Sequence, residues 1–201
     1  MNKMLLLAGT AACLFAANAN AIELKPYVGA KLKYVDLSSE LSEDGSNLLN
    51  GNDNLVGSSI AVGLSAKLER GSVRAELETN ANSDAEKTSY AGIIKTKVEA
   101  QSVMLNGYYD IDTKTKITPY IGAGIGYAKV KGTVYVDGIK LGSMDDNNFA
   151  WLVGFGASYA VNEHIYLDAG YRYMDYGDFS EDGTKLETYA NEIYIGARYA
   201  F

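Results

Sequence analysis

The chain has 201 residues, one cysteine, 16 tyrosines, 21 glycines and a net charge of −7. The acidic balance, without a basic patch to meet phosphates, argues against nucleic acid as a partner. Charge alone would suit an acidic soluble enzyme equally well, so the order of residues has to decide.

Residues 1–21 read as an export signal. Lys3 is the positive start, Met4 to Ala17 form a short apolar run, and Ala19-Asn20-Ala21 gives the small-x-small pattern of a cleavage site after Ala21. The run is too short for a spanning helix. A lipoprotein reading would acylate Cys13, but Thr10, Ala11 and Ala12 precede it without the usual leucine. A cut after Ala21 leaves a mature protein with no cysteine, hence no disulfide or thiol chemistry. Residues 22–201 suffice for one domain, and none of its stretches has the length and apolarity of a transmembrane helix.

The mature part is dominated by period-two alternation, the mark of strands with two unlike faces. Segment 22–35 sets Leu24, Val28, Ala30, Leu32 and Tyr34 against Lys25, Tyr27, Gly29, Lys31 and Lys33. Segment 58–68 sets Ile60, Val62 and Leu64 against Ser59, Gly63, Ser65 and Lys67, and 73–80 sets Val73, Ala75 and Leu77 against Arg74, Glu76 and Glu78. Segment 94–109 is weaker: Val98 and Ala100 are apolar at even positions, then Val103, Leu105 and Tyr109 at odd ones. The change near Gln101 predicts a bulge, or a strand whose upper part has left the membrane. Segments 117–129, 149–160, 165–174 and 189–201 alternate again. The last sets Tyr189, Ile193, Ile195, Ala197, Tyr199 and Phe201 against Glu192, Tyr194, Gly196, Arg198 and Ala200.

A soluble sandwich would alternate too, but three features favour a membrane. Short links (69–72, 110–116, 161–164) alternate with long polar ones (36–57, 80–93, 130–148, 175–188), as do the periplasmic turns and external loops of outer-membrane barrels. Apolar-face aromatics gather at strand ends: Tyr34, Tyr127, Phe149, Trp151, Tyr171, Tyr173 and Tyr189 at the outer end, and Tyr109, Tyr159, Tyr199 and Phe201 at the inner end. Rings with a polar tip favour the hydrocarbon–water boundary. The chain also stops on Phe201 at the end of an alternating strand, which resembles the signal read by the outer-membrane insertion machinery. Lipid offers the backbone no hydrogen-bond partners, so such a sheet must close. The expected fold is an all-β, closed, eight-stranded antiparallel up-and-down barrel.

Three stretches carry a family resemblance: Val103-Met104-Leu105-Asn106-Gly107-Tyr108-Tyr109-Asp110, Pro119-Tyr120-Ile121-Gly122-Ala123-Gly124-Ile125-Gly126-Tyr127, and Leu167-Asp168-Ala169-Gly170-Tyr171-Arg172-Tyr173-Met174-Asp175-Tyr176. With the terminal strand, they make residues 22–201 resemble the small outer-membrane barrels of the opacity-protein, OmpX and OmpA-barrel type. The resemblance implies an architecture and a place in the Gram-negative outer membrane, and hardly an activity.

A barrel of eight strands has room for side chains and little else. Lys67, Arg74, Glu76, Asp168, Arg172, Glu192 and Arg198 fall on the inward face and form the expected lumen charge network, since a charge there must find a partner. The register across the 175–188 link brings Arg172 near Glu192 and puts Asp168 diagonal to Arg198. Across the 69–72 turn, Lys67 is expected near Glu76. Such a plug competes with a narrow pore.

Signals for chemistry are weak. Small barrels that edit lipid A exist, and their deacylases resemble a His-Ser-Glu arrangement. The single histidine, His164, lies in a short turn with no serine two residues on, so a triad or a His-containing metal site is not expected. Asp145-Asp146 and Glu181-Asp182-Gly183 lack the spaced ligands and closing Glu of a calcium loop. Gly122-x-Gly124-x-Gly126 is one face of a strand, not a phosphate cradle. Val134 to Lys140, centred on Asp137-Gly138, reads as a hairpin. The expectation is a non-enzymatic envelope or adhesion-type barrel without cofactor, meeting membrane lipids, the insertion machinery and surface ligands of host or environment. A narrow solute channel is the alternative, and a lipid A-modifying enzyme the least favoured.

Overall fold

The computed structural model describes residues 23–43, 46–82, 85–89, 94–136, 139–181 and 184–201. The expected export signal and cleavage site lie outside the described residues. Those described are almost entirely strand: β1 Leu24–Glu43, β2 Ser46–Leu68, β3 Gly71–Asn82, β4 Ala85–Ser89, β5 Ile94–Ile111, β6 Ile117–Val136, β7 Ile139–Ala160, β8 Ile165–Glu181 and β9 Thr184–Ala200. Neighbours pair antiparallel, and β1 pairs with β9 through Lys31↔Gly196, which closes the sheet. Both β3 and β4 pair with β5, so they are the lower and upper parts of one wall. The result is a closed barrel of eight antiparallel walls.

The alternation follows from two unlike surroundings. Leu32, Ile60, Ile125, Phe155 and Ile195 stand on the outer surface with more than half of their area exposed, while Glu78, Glu192 and Arg172 inside the barrel are at most 2% exposed. This inverts a soluble protein, where an apolar surface this large would be covered. A bilayer supplies the cover, and closure pairs the backbone groups that lipid leaves unpaired. Outward rings meet near the outer end of the membrane belt: Tyr127 with Phe149 at 6.4 Å, Trp151 with Tyr173 at 5.6 Å, and Tyr173 with Tyr189 at 5.8 Å. At the other end Tyr199 contacts Phe201 at 5.2 Å.

The long links differ from expectation. Most of 36–57, 80–93, 130–148 and 175–188 continues as β-ladder rather than loop. The β1–β2 ladder runs up to Glu43↔Ser46, β6–β7 to Val136↔Ile139 and β8–β9 to Glu181↔Thr184. Alternation reports a sheet between two solvents, so it fades where water bathes both faces, although backbone pairing goes on. The hairpin read around Val134 to Lys140 is part of this extension; its tip, Asp137-Gly138, lies outside the described residues.

Two seams open as the walls rise. Among the described residues, the β2–β3 ladder stops at Gly57↔Asn82 and the β7–β8 ladder at Trp151↔Asp175, whereas the other pairings climb further. Among the described residues the ladders above that level run through β8-β9-β1-β2 and through β4-β5-β6-β7. At the second seam β8 carries a bulge between Asp175 and Asp178. Gly177 takes φ of +84° there, and a Cβ on it would lie 2.7 Å from the Phe149 carbonyl oxygen, so glycine is required twice over.

The bulge expected near Gln101 is not on β5. The β5–β6 ladder is unbroken from Ile94↔Val136 to Asp110↔Tyr120. The offset lies on the other neighbour, between Ala81↔Gln101 of β3 and Ala85↔Val98 of β4.

Candidate functional site

The lumen is built by glycine and bulk in alternation across strands. Tyr27 stands opposite Gly63, Tyr108 opposite Gly122, Tyr120 opposite Gly156 and Tyr194 opposite Gly170. At each of these glycines a Cβ would come within 2.7 Å of the facing tyrosine ring. Small inward positions therefore let large polar side chains lie across the narrow interior.

Three layers fill it. Nearest the termini, Arg74 Nη2 lies 2.8 Å from Asp110 Oδ1, and Ser72 donates to Asp110 Oδ2 at 3.0 Å. The Arg74 guanidinium also rests on the rings of Tyr108 and Tyr120 at 4.5 and 4.8 Å. Beside it Arg198 Nε lies 2.6 Å from Asp168 Oδ2, and Ser158 donates to Asp168 Oδ1 at 2.6 Å. Below these pairs opens a polar vestibule of about 370 Å³, lined by Lys25, Lys67, Asp112 and Tyr166 among others.

The middle layer is one connected network. Lys31 Nζ sits between Glu76 Oε1 at 2.7 Å and Glu78 Oε2 at 2.6 Å. Arg172 pairs with Glu192 through Nε, with Glu78 Oε1 at 2.9 Å and with Asn80 Oδ1 at 2.9 Å. Lys33 donates to Asn80 Oδ1 at 2.8 Å and reaches Glu192 Oε1 at 3.4 Å. Asn106 donates to Glu78 Oε2 at 3.1 Å, and Tyr27 to Glu76 Oε2 at 3.0 Å. Among the described residues the buried lumen charges balance: Lys31, Lys33, Arg74, Arg172 and Arg198 against Glu76, Glu78, Asp110, Asp168 and Glu192. Each carboxylate is met by a cation, which keeps a narrow, poorly hydrated interior tenable for ions.

Towards the outer end the lumen turns apolar. Val35, Leu55, Met104, Leu152, Met174 and Tyr176 pack into a buried cluster with Ala128, Ala150 and Ala190. Val35, Met104 and Met174 have no exposed surface at all. An ion crossing here would have to shed most of its water against aliphatic side chains, with the Tyr176 hydroxyl the one polar side-chain group of the cluster.

Of the residues expected in the lumen, Arg74, Glu76, Asp168, Arg172, Glu192 and Arg198 are buried inside the barrel. Lys67 is not. It stands exposed at the vestibule, opposite Ser72, whereas Glu76 stands opposite Gly63 and is held by Lys31. The tight Glu69-Arg70 turn fixes that register and keeps Lys67 four residues below the level of Glu76's partner. The expectation missed Asp110, the partner of Arg74. Continuing the β5 alternation one residue past Tyr109 finds it. It also missed the apolar layer: Met104, Leu152 and Met174 share the parity of the inward face but are not polar, and the alternation reading assigned them to neither face.

His164 lies in the exposed turn, its Nδ1 2.9 Å from the Ala200 carbonyl oxygen and its ring stacked on Tyr199. Among the described residues no group of three His, Cys, Asp or Glu side chains is placed to hold a metal. The side chains of Asp145, Asp146, Glu181 and Asp182 lie outside those described.

Comparison with known proteins agrees with this geometry. The chain is 37% identical over 125 residues to outer membrane protein PagN of Salmonella typhimurium, covering 54% of this chain and 52% of that one. It is 33% identical over 92 residues to the candidate adhesin RC1281 of Rickettsia conorii, covering 42% and 37%. The matched region thus spans about half or less of these curated relatives. Among solved structures, Neisserial surface protein A is 22% identical, covering 88% of this chain and 97% of that one with a TM-score of 0.62, a likeness of fold. The outer membrane protein beta-barrel domain matches residues 4–201, and the chain belongs to that family.

Proposed function

We propose that this protein is a non-enzymatic, adhesion-type barrel of the outer membrane, exported through a cleaved signal, whose extended outer hairpins meet ligands on host or environmental surfaces. The observation that carries the reading is the division of labour along the barrel axis. The lumen is filled by a neutral ion-pair network and sealed by an apolar layer, so the interior offers neither a path nor a reactive group. The walls, by contrast, continue as ladders far beyond the lipid belt. The similarity to a candidate adhesin supports the same role. Membrane lipids hold the apolar wall, and the terminal strand ending at Phe201 engages the insertion machinery.

The test is adhesion of a non-adherent bacterium displaying the protein, with each outer hairpin cut back in turn to a short turn at the lipid boundary. Adhesion falls when hairpins are trimmed, while permeability to small solutes is unchanged. Adhesion that survives trimming of all four, in barrels that still migrate as folded, contradicts the proposal.

A further inference from the structure

The vestibule at the short-turn end of the lumen, about 370 Å³, is walled by donors and acceptors that are unevenly employed. Arg74 and Arg198 both line it, and they are only 5% and 9% exposed. Each directs Nε and Nη2 at its own carboxylate, Asp110 for Arg74 and Asp168 for Arg198. Among the described residues no hydrogen bond uses Nη1 of either guanidinium. Neither Nη1 is one of the buried atoms left without a partner, so each reaches open space, and the space both residues line is the vestibule.

The acceptors are placed otherwise. Asp168 stays out of the lining, so Arg198 stands there without its counter-ion. Both oxygens of Asp110 are already met, by Arg74 and by Ser72. At the mouth Glu23 lies 3.6 Å from Lys25, and Asp112 Oδ1 accepts from the Lys114 N–H of its own turn at 2.8 Å. Only rim oxygens of Glu23 and Asp112 remain uncommitted. Lys67 completes the lining, exposed and without an ion pair among the described residues. Unused N–H groups therefore dominate the depth of the vestibule, and what such a cavity binds is an acceptor-rich anion.

We infer that the vestibule binds a phosphate group, carried by a small solute or by the head group of a lipid in the leaflet around that end. A phosphate monoester presents three oxygens, which two guanidinium edges and an ammonium meet together, while a carboxylate presents two. The cavity is larger than a bare phosphate, so part of the carrier enters with it. The site lies at the opposite end of the barrel from the outer hairpins and is independent of what they bind.

The test uses the isotope-labelled mature barrel in a phosphate-free glycoside detergent and follows the arginine Nε–H resonances by NMR. The probes are inorganic phosphate, glycerol phosphate, phosphatidylglycerol and, as the carboxylate control, acetate. At least one phosphate probe shifts Arg74 and Arg198 saturably and leaves Arg172, inside the middle network, unmoved. Salt weakens that binding, and acetate binds at least about tenfold more weakly. Lys67→Ala weakens it about tenfold, the loss of one charge-assisted contact, whereas Lys116→Ala, at an exposed lysine outside the lining, does not. Response to the soluble phosphates alone assigns the site to a solute, and response to phosphatidylglycerol alone assigns it to a lipid head group; either supports the inference. No saturable shift with any phosphate probe, an equal response to acetate, or Lys67→Ala that binds as tightly as the parent or no more weakly than Lys116→Ala overturns it.

Discussion

The Tyr194 ring occupies the space a side chain on Gly170 would need: a Cβ there would lie 2.5 Å from the Tyr194 hydroxyl. The same hydroxyl is 2.9 Å from that of Tyr120, which covers Gly156 in turn. Gly170→Val is therefore expected to lower stability by about 1–3 kcal/mol, the range for overpacking. Urea unfolding from lipid vesicles reads the change. Gly107 is the control, because a Cβ there meets only the Ala123 carbonyl oxygen at 4.0 Å. Gly107→Ala should be close to neutral, and equal losses at both positions would contradict the packing account.

Glu78 joins Lys31, Arg172 and Asn106, so removing its charge leaves two buried cations short of a partner. Glu78→Gln should cost about 3–5 kcal/mol, as when one member of a buried pair is lost. Lys67→Ala, at the exposed mouth, should stay within about 0.5 kcal/mol. The same unfolding measurement separates them, and a large loss at Lys67 would restore it to the network.

The walls were legible in the sequence because lipid and lumen impose opposite demands on successive residues. Arg172 and Glu192 could be brought together because a single hairpin joins their strands. Contacts across the lumen were not legible in that way. Lys31 on β1 reaches Glu76 on β3 past the whole of β2, and Arg172 on β8 reaches Glu78 on β3. Those contacts follow from closure and curvature, which no local pattern encodes. The outer ladders were hidden for another reason: with water on both sides, Ser, Asn, Asp and Gly can occupy either face of a strand.

The apolar layer predicts electrical silence. In planar bilayers the purified protein should give no large, stable, ion-selective openings, since Met104, Leu152 and Met174 close the lumen above the charge network. Sustained openings of that kind would favour the channel reading.

The closed ladder predicts slow unfolding in detergent. The unboiled protein should migrate differently from the boiled one on an electrophoretic gel, because a barrel with no free edge inside the membrane belt unfolds only as a whole. Glu78→Gln should lower the temperature at which the folded band disappears. A band that never shifts, from protein soluble without detergent, would speak against a membrane barrel.

Trp151, the sole tryptophan of the chain, gives the most direct test of which way the apolar residues point. It stands on the outer wall beside Tyr173, more than a third of its surface exposed. In reconstituted vesicles its fluorescence should be quenched strongly by lipids brominated near the headgroup and less by lipids brominated near the bilayer centre, with little effect from aqueous iodide. Quenching by iodide with no response to either brominated lipid would show the ring facing water, and the barrel would not be the membrane-embedded one described.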